Sequence, residues 1–338
     1  MTRSATALDR AHGALAGVAI GDALGMPSQT MSREAIAATY GRIEDFVAPA
    51  PDHPVSHGLA AAMITDDTEQ SLLLAERLIR DPAAFDHQAW AEALIAWEAG
   101  VRARGLGDLL GPSSKRALQS LIAGERVDRT GRTGTTNGAA MRIAPMAIAT
   151  PYPDSDFFVG RVAEVCQVTH NTREAISAAS AVAAIISCGV QGASFDEALP
   201  TAMAAAQRGA RLGAPEGEVD ISARIKAAID TATRGDELEL AREIGTSVAS
   251  RESVATAFGV VRLAKGDPWK AAVIAANIGD DTDTIGAMAA GMAGACAGVS
   301  AFPPEKVMRV AEVNDLDLPR IARELLAVRA RQNLEVAQ

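Results

Sequence analysis

The chain has 338 residues, 48% hydrophobic and 22% charged, with a mean hydropathy of +0.09, the balance of a globular protein with a large core and not of a disordered one. Lys and Arg number 32 against 42 Asp and Glu, giving a formal charge of −10; with no basic cluster, this argues against long nucleic acid as a partner and leaves room for a compact anionic ligand held locally. Cys166, Cys188 and Cys296 lie in apolar, helix-like sequence outside any CxxC spacing, which argues against thiolate-held zinc and points to a reduced, cytoplasmic setting.

In chain order, the first segment, MTRSATALDRAHGALAGVAIGDALG, carries an apolar run preceded by Asp9, Arg10 and His12 and closed by Asp22. It is too short for a membrane span and lacks the order of a signal peptide, so no membrane partner is expected. Ala and Leu dominate, aromatics are 4%, and sustained period-two alternation is missing, so the expected class is all-α. Helices are predicted over Leu8–Ala23, Thr68–Ile79, His87–Gly100, Ser114–Ala123, Gly160–Val168, Glu174–Gly189 and Phe195–Arg211. They continue with Ser222–Thr233, Glu237–Ile244, Ser253–Ala264, Pro268–Ala276, Asp283–Ala297, Pro304–Asn314 and Leu318–Gln332, with Ser, Thr, Asn or Pro at many starts and Gly or Pro at many stops. No Pro/Ser-rich or charged linker divides the chain, and a single domain over 1–338 is expected. Two stretches break the helical pattern: Phe46–Ile64, with three prolines, and Gly124–Pro145, rich in Gly, Thr and Arg. Long irregular connections of this kind are either solvated loops or the cover of a site.

Two acidic helix starts stand out. ANIGDDTDTIGAMAAGMAGACAG places Asp280, Asp281 and Asp283 before a helix of Ala, Gly and Met, and MITDDTEQSLLLAERLI places Asp66 and Asp67 at the head of an amphipathic one. Each alone reads equally well as helix capping, since acidic side chains complement the N–H groups and positive dipole of a helix start. Together they suggest convergence, and about four carboxylates within a few ångströms stay ionised only if a cation compensates them. Oxygen donors select a hard divalent ion such as Mg²⁺, Mn²⁺ or Ca²⁺, and a bridging Asp suits a pair of ions about 4 Å apart. An EF-hand is excluded because neither motif continues as that loop does.

Three further motifs are weaker. GVAIGDALGMP, from Gly17 to Pro27, reads first as tight helix packing followed by a Gly cap. The Asn137-Gly138 turn reads as an ordinary turn or as a phosphate cradle. His170, just before Asn171, reads more simply as structural than as catalytic.

Taken in order, GDALG, TDDTE, GPSSKRAL, NGAAMR, THNTREAI and GDDTDTIGAMAAGMAGA resemble the ADP-ribosylglycohydrolase family over nearly the whole chain. The resemblance implies an orthogonal all-α bundle with a cleft for two Mg²⁺ ions and hydrolysis of the bond between ADP-ribose and an acceptor. It implies metal ligation by Thr65, Asp66, Asp67, Asp281, Asp283 and Thr284, with Asp66, Asp67 and Asp281 also catalytic. It further implies contact with the ADP-ribose through Ser113, Asn137, Gly138, Met141, Arg142 and His170. Where some members carry Glu in GDALGxPxE, this chain has Gln29, an amide that transfers no proton at neutral pH and is a weaker ligand; Gln29 is expected in the substrate site, and the usual substrate is thereby in question. Asp280 replaces a frequent Gly. The implied partner is ADP-ribose, or a protein or small molecule carrying it. The alternatives are a metal-dependent glycosidase of a smaller ribosyl compound and a silent ADP-ribose-binding protein.

Overall fold

The computed structural model describes residues 6–82, 84–106, 109–152, 155–217 and 220–336; the remaining positions of the span 1–338 lie outside the described residues. Helices follow in the order α1 (Ala7–Gly25), α2 (Arg33–Tyr40), α3 (Asp66–Arg80), α4 (His87–Ala103), α5 (Pro112–Ile122), α6 (Gly138–Met141) and α7 (Ala144–Ala149). Next come α8 (Ser155–His170), α9 (Arg173–Val190), α10 (Phe195–Gly209), α11 (Ile221–Arg234) and α12 (Glu237–Ile244). The chain ends with α13 (Ser250–Leu263), α14 (Pro268–Ala276), α15 (Thr282–Ala297), α16 (Pro304–Val313) and α17 (Leu318–Val336). Among the described residues no strand forms, and extended pairing is confined to isolated bridges such as Met31–Asp280 and Thr136–Ala249.

The all-α expectation is met, with three additions. Helix α2 is a short surface helix capped by Ser32 that buries only Ile36, too little apolar periodicity to read from sequence. Helix α6 falls inside the irregular stretch expected over Gly124–Pro145, and α7 starts at its end and runs on through residues for which no helix was expected. All residues of both are buried, so neither has the polar face on which a period-3.6 pattern depends.

The centre is the antiparallel pair α1 and α15, which touch backbone to backbone. A Cβ on Gly17 would lie 2.2 Å from the Ala290 carbonyl oxygen, and one on Gly21 would lie 2.1 Å from that of Gly286. Only glycine permits such an approach, and glycine's cost in helix propensity is offset by the burial of both helices along their facing lengths. Gly189 of α9 packs in the same way on Ala295. Helix α9 is long and apolar enough to cross a membrane, but 89% of that segment is buried within this fold. Helix α17 closes the core: buried Arg329 donates to the carbonyls of Ala147, Ile148 and Thr150 at 2.8–3.1 Å, satisfying the C-terminal end of α7. Both terminal helices therefore brace the layers that carry the two acidic helix starts.

Candidate active site

Helix α3 begins at Asp66, yet its N-cap residue, Thr65, makes no capping bond with its own side chain. The cap comes from another helix. Asp22, wholly buried near the end of α1, accepts the Thr65 N–H at 2.9 Å and the Thr65 hydroxyl at 2.6 Å. It also accepts the Thr68 N–H at 3.1 Å and the Thr68 hydroxyl at 2.5 Å. One carboxylate thus fixes the start of α3 to α1 and leaves Asp66 and Asp67 uncommitted to capping.

At the second acidic start, Asp281 is the N-cap residue of α15 and likewise makes no side-chain capping bond. Its Oδ2 accepts a hydrogen bond from Asn137 Nδ2, and that amide also donates to Ser253 Oγ at 2.9 Å. Asn137 is held in turn by its backbone N–H, which donates to the Val248 carbonyl at 3.0 Å. Asp283 Oδ1 accepts the Thr284 N–H at 2.9 Å, and the Thr284 hydroxyl reaches Asp67 Oδ2 at 3.5 Å. The helix starts read separately from sequence therefore meet through Thr284 and Asp67, because α1 and α15 approach so closely and α1 holds α3.

This arrangement concentrates negative charge out of water. Burial raises the Asp66 carboxyl well above its ordinary value, and Asp22 and Asp281 raise it further. Asp67 is raised by burial and then by Asp283 and Asp22. Asp283 is raised by burial, Asp281 and Asp22. Burial lifts Asp281 to about 7 against the opposing hydrogen bond from Asn137, and Asp22 to about 6 against four bonds from Thr65 and Thr68. Among the described residues, no salt bridge joins a Lys or Arg to any of these five groups. Asp67 Oδ1 is buried with no hydrogen-bond partner, an arrangement that costs stability unless a cation or proton satisfies it. The donor set is all oxygen, as a hard divalent ion requires. It is not a closed cage: among the described residues, no three His, Cys, Asp or Glu side chains already stand together as a ligand group.

The carboxylates open on a cleft of about 260 Å³. Asp66, Asp281, Asp283 and Thr284 line its floor; Gln29, Thr30 and Val55 form one wall, and Gly111, Pro112, Ser114 and Lys115 form another. Asn137, Gly138, Met141 and Val248 complete it. Helix α5 starts at this wall after Gly111, which has no side chain to cap it, with Pro112 at its first position; its positive dipole end therefore lies at the wall, an arrangement suited to an anion. Larger hollows, such as that of about 520 Å³ beside Cys296, contain no comparable set of carboxylates.

Not every expected site residue reaches the cleft. Thr65 is buried against Asp22, and Asp67 lies behind the floor. Ser113 is buried and its hydroxyl accepts the Thr136 N–H at 3.4 Å, tying α5 to the Asn137 turn instead of facing a ligand. Arg142, expected along the ADP-ribose, is instead buried away from the cleft. Its guanidinium lies under Trp90 and donates to Gln70 Oε1 at 2.7 Å and to Thr169 Oγ1. Gln70 Nε2 then donates to Asp66 Oδ2 at 3.2 Å. Arg142 therefore acts behind Asp66 and not along a ligand, and burial lowers its pKa to about 10. His170 is corrected in the same sense. Its ring lies beneath Gly138, where a Cβ would approach Cε1 to 2.8 Å, and contacts Thr136 and Thr169 at 3.1 and 2.8 Å. It supports the turn, and its pKa is far below normal because of burial and Arg142. Asp280 turns away from the floor: it is exposed, at φ +63°, and borders a separate hollow with Arg33 and Arg242. Sequence reasoning missed Asp22 and Gln70. The Asp22 motif was visible, but the tight packing of its glycines accounted for it so well that the carboxylate between them drew no separate role.

An all-α scaffold with two acidic helix starts beneath a cleft is the arrangement this chain presents, and comparison identifies the class of protein that carries it. Residues 3–335 match the family model ADP-ribosylglycohydrolase; the chain belongs to this family and is a hydrolase of it. It is 33% identical over 96% of its length to an uncharacterized protein, YegU, of Escherichia coli, covering 98% of that relative. It is 31% identical over 90% of its length to the ADP-ribosylarginine hydrolase Tri1 of Pseudomonas putida, covering 75% of it. A solved structure titled ADP-ribosylglycohydrolase-related protein complex superposes with a TM-score of 0.70 at 26% identity, covering 95% of this chain and 98% of that one.

Proposed function

We propose that this protein is a divalent-metal-dependent hydrolase that cleaves the bond between the distal ribose of ADP-ribose and an acceptor, either an arginine-type protein linkage or a small ADP-ribosyl metabolite. The observation that carries this reading is the set of buried, unneutralised carboxylates on the floor of a cleft whose wall is the uncapped start of α5. The similarity to Tri1, named an ADP-ribosylarginine hydrolase, supports the arginine-type linkage. The unpaired state of Cys166, Cys188 and Cys296 supports the cytoplasm as its setting.

Thr65, Asp66, Asp67, Asp281, Asp283 and Thr284 would hold two Mg²⁺ or Mn²⁺ ions. Such ions supply Lewis-acid polarisation of ribose hydroxyls and a more acidic water. The chain's own residues do the rest. The α5 start and the Asn137-Gly138 turn receive the diphosphate, with Met141 and Val248 providing apolar contact. That anchorage brings the anomeric carbon over Asp66 and Asp281, where proximity replaces a bimolecular encounter. As the scissile bond stretches, positive charge grows on the ribose, and the carboxylates stabilise it electrostatically. Asp281, oriented by Asn137, or Asp66, oriented by Gln70, takes a proton from the attacking water. Asp67, behind the floor, contributes charge without touching the substrate.

The test is product release followed by mass spectrometry, with ADP-ribosyl-arginine and simple ribosides incubated separately with Mg²⁺ or with chelator. Free ADP-ribose appearing only with metal is the expected result. Ribose released from the simple ribosides, with ADP-ribosyl-arginine untouched, would replace this substrate with a smaller one. Binding of ADP-ribose without turnover of any substrate would mark a silent binding protein.

A further inference from the structure

The amide of Gln29 has its orientation dictated by its neighbours. Resting on the hydrolase reading above, we infer that Ser56 and His53 are positioning residues that lock the Gln29 amide with its carbonyl oxygen toward the cleft, where it orients the attacking water. Ser56 is wholly buried, and its hydroxyl has one proton to give. That proton goes to the Met26 carbonyl oxygen at 3.0 Å. The contact between Gln29 and Ser56 Oγ, at 2.7 Å, must then draw its proton from the Gln29 amide nitrogen. The flipped amide would set Oε1 against an oxygen with no proton left, a buried unmade bond. Oε1 is therefore directed away from Ser56, and Gln29 itself lines the cleft.

His53 fixes the backbone on both sides of this contact. Its Nδ1 accepts the N–H groups of Val55 and Ser56 at 3.2 and 2.9 Å. The ring is thus neutral with its proton on Nε2, which donates to the Gln29 carbonyl at 3.0 Å. One imidazole ties residue 29 to residues 55 and 56, and this is the role in which the Pro-rich connection takes part in the site.

An amide takes no proton at neutral pH, so Gln29 cannot be the base. Instead, one O–H of the water donates to Gln29 Oε1 and the other to a floor carboxylate, which aims the oxygen lone pair at the anomeric carbon. As the new C–O bond forms, the scissile bond breaks and its electron pair leaves with the acceptor atom. The water's proton passes to the carboxylate and from there to that atom. Glutamine aligns an attacking water in the same manner in GTP hydrolysis.

The test compares Ser56→Ala, Gln29→Ala and the double variant in Mg²⁺-dependent turnover of ADP-ribosyl-arginine, with urea midpoints recorded for each. Each single variant is expected to lose about tenfold in kcat with KM within about twofold, the size of one hydrogen bond, and the double variant to be no slower than Gln29→Ala. Additive losses in the double variant, or a wild-type kcat in Ser56→Ala, would overturn the proposal. A second measurement is independent of turnover: in protein labelled with ¹⁵N at glutamine side chains, the Gln29 amide pair, identified by its loss in Gln29→Glu, should show one proton protected from exchange. Loss of that protection in Ser56→Ala supports the lock, and an unprotected pair in the native protein refutes it. A protected pair in a protein that leaves ADP-ribosyl-arginine intact would support the lock and refute the substrate reading instead.

Discussion

A methyl group at Gly25 tests whether the close packing of α1 on α15 sets the geometry of the acidic floor. A Cβ there would lie 2.5 Å from both the Cα and the N of Asp283, whereas ordinary van der Waals contact begins at 3.4 Å. The helices must therefore part locally by about 0.9 Å, and the atoms that move are the Cα and N of Asp283 together with the Thr282 carbonyl oxygen, also at 2.5 Å. Overpacking of this kind costs about 1–3 kcal/mol, at the upper end here because the obstacle is backbone and has no rotamer to change. Replacing Gly by Ala in a helix returns about 1 kcal/mol, leaving a net loss of about 2 kcal/mol. A misplacement of about 1 Å at reacting groups lowers rate by about a hundredfold. Gly13→Ala is the matched control: its Cβ would meet the Gly294 carbonyl at 2.4 Å in the same interface, but twelve residues away along α1, about 18 Å at 1.5 Å per residue. Gly160→Ala, exposed in α8 with nothing within 4 Å, should stabilise by about 1 kcal/mol. Urea midpoints and kcat/KM for ADP-ribosyl-arginine are the readouts. Similar stability losses in Gly25→Ala and Gly13→Ala are expected, with the hundredfold loss of kcat/KM confined to Gly25→Ala. Equal activity in the two variants would refute the link between this packing and the site.

Other outcomes follow from the same charges. Mg²⁺ or Mn²⁺ should raise the melting temperature, by about 2.7 kcal/mol of stabilisation at a hundred times Kd; an unchanged thermal scan at millimolar metal would remove the ion from the site. Asp281→Asn should abolish turnover, about a thousandfold or more by analogy with the loss of an electrostatic catalytic group, while circular dichroism and the unfolding midpoint remain those of a folded protein; near-native turnover would take Asp281 out of the mechanism. In chelator, stability should fall as pH rises. Burial pushes Asp22 up to about 6 and Asp281 up to about 7, above the ordinary carboxylate range, so the folded state holds their protons more tightly than the unfolded chain does. Their contribution is full below about pH 4 and is lost as pH climbs through 7. A melting temperature in chelator that increases from pH 5 to pH 8 would contradict this.

How much of this was legible in the sequence depends on the reach of each signal. The helices with one wet face, such as α3 and α11, declare themselves by period, and caps such as Ser194 mark their starts. Helices α6 and α7 are silent because every side chain is buried and no polar stripe remains to set the phase. The two Asp-rich starts were visible as motifs, and their convergence was an argument from charge. What holds the first of them in place is Asp22, which fixes the start of α3 to α1 while α1 packs on α15; no local pattern encodes that contact between residues 22 and 65. The same limit explains Arg142 and His170. Each lies in a motif shared with the site, but a motif fixes only neighbourhood in sequence, and a side chain one turn further round can support the site from behind instead of facing it.

That distinction bears on how the site stays organised. Each carboxylate that faces the cleft is met by an uncharged donor: the Gln70 amide on Asp66, the Asn137 amide on Asp281 and the Thr284 backbone N–H on Asp283, while the Thr284 hydroxyl reaches Asp67 behind the floor. Arg142, a buried cation beside the site, is one residue removed, donating to Gln70 instead of to an Asp. A direct Arg–Asp pair would neutralise the floor and hold the carboxylate pKa low, competing with any divalent ion for the same oxygens. Interposing Gln70 lets the guanidinium orient Asp66 while leaving its negative charge available. The preference for uncharged supports in a region of five buried carboxylates is therefore the feature that most sharply separates a cation-binding site from an internal salt-bridge network, and the network reading predicts a direct cationic partner where this chain places amides.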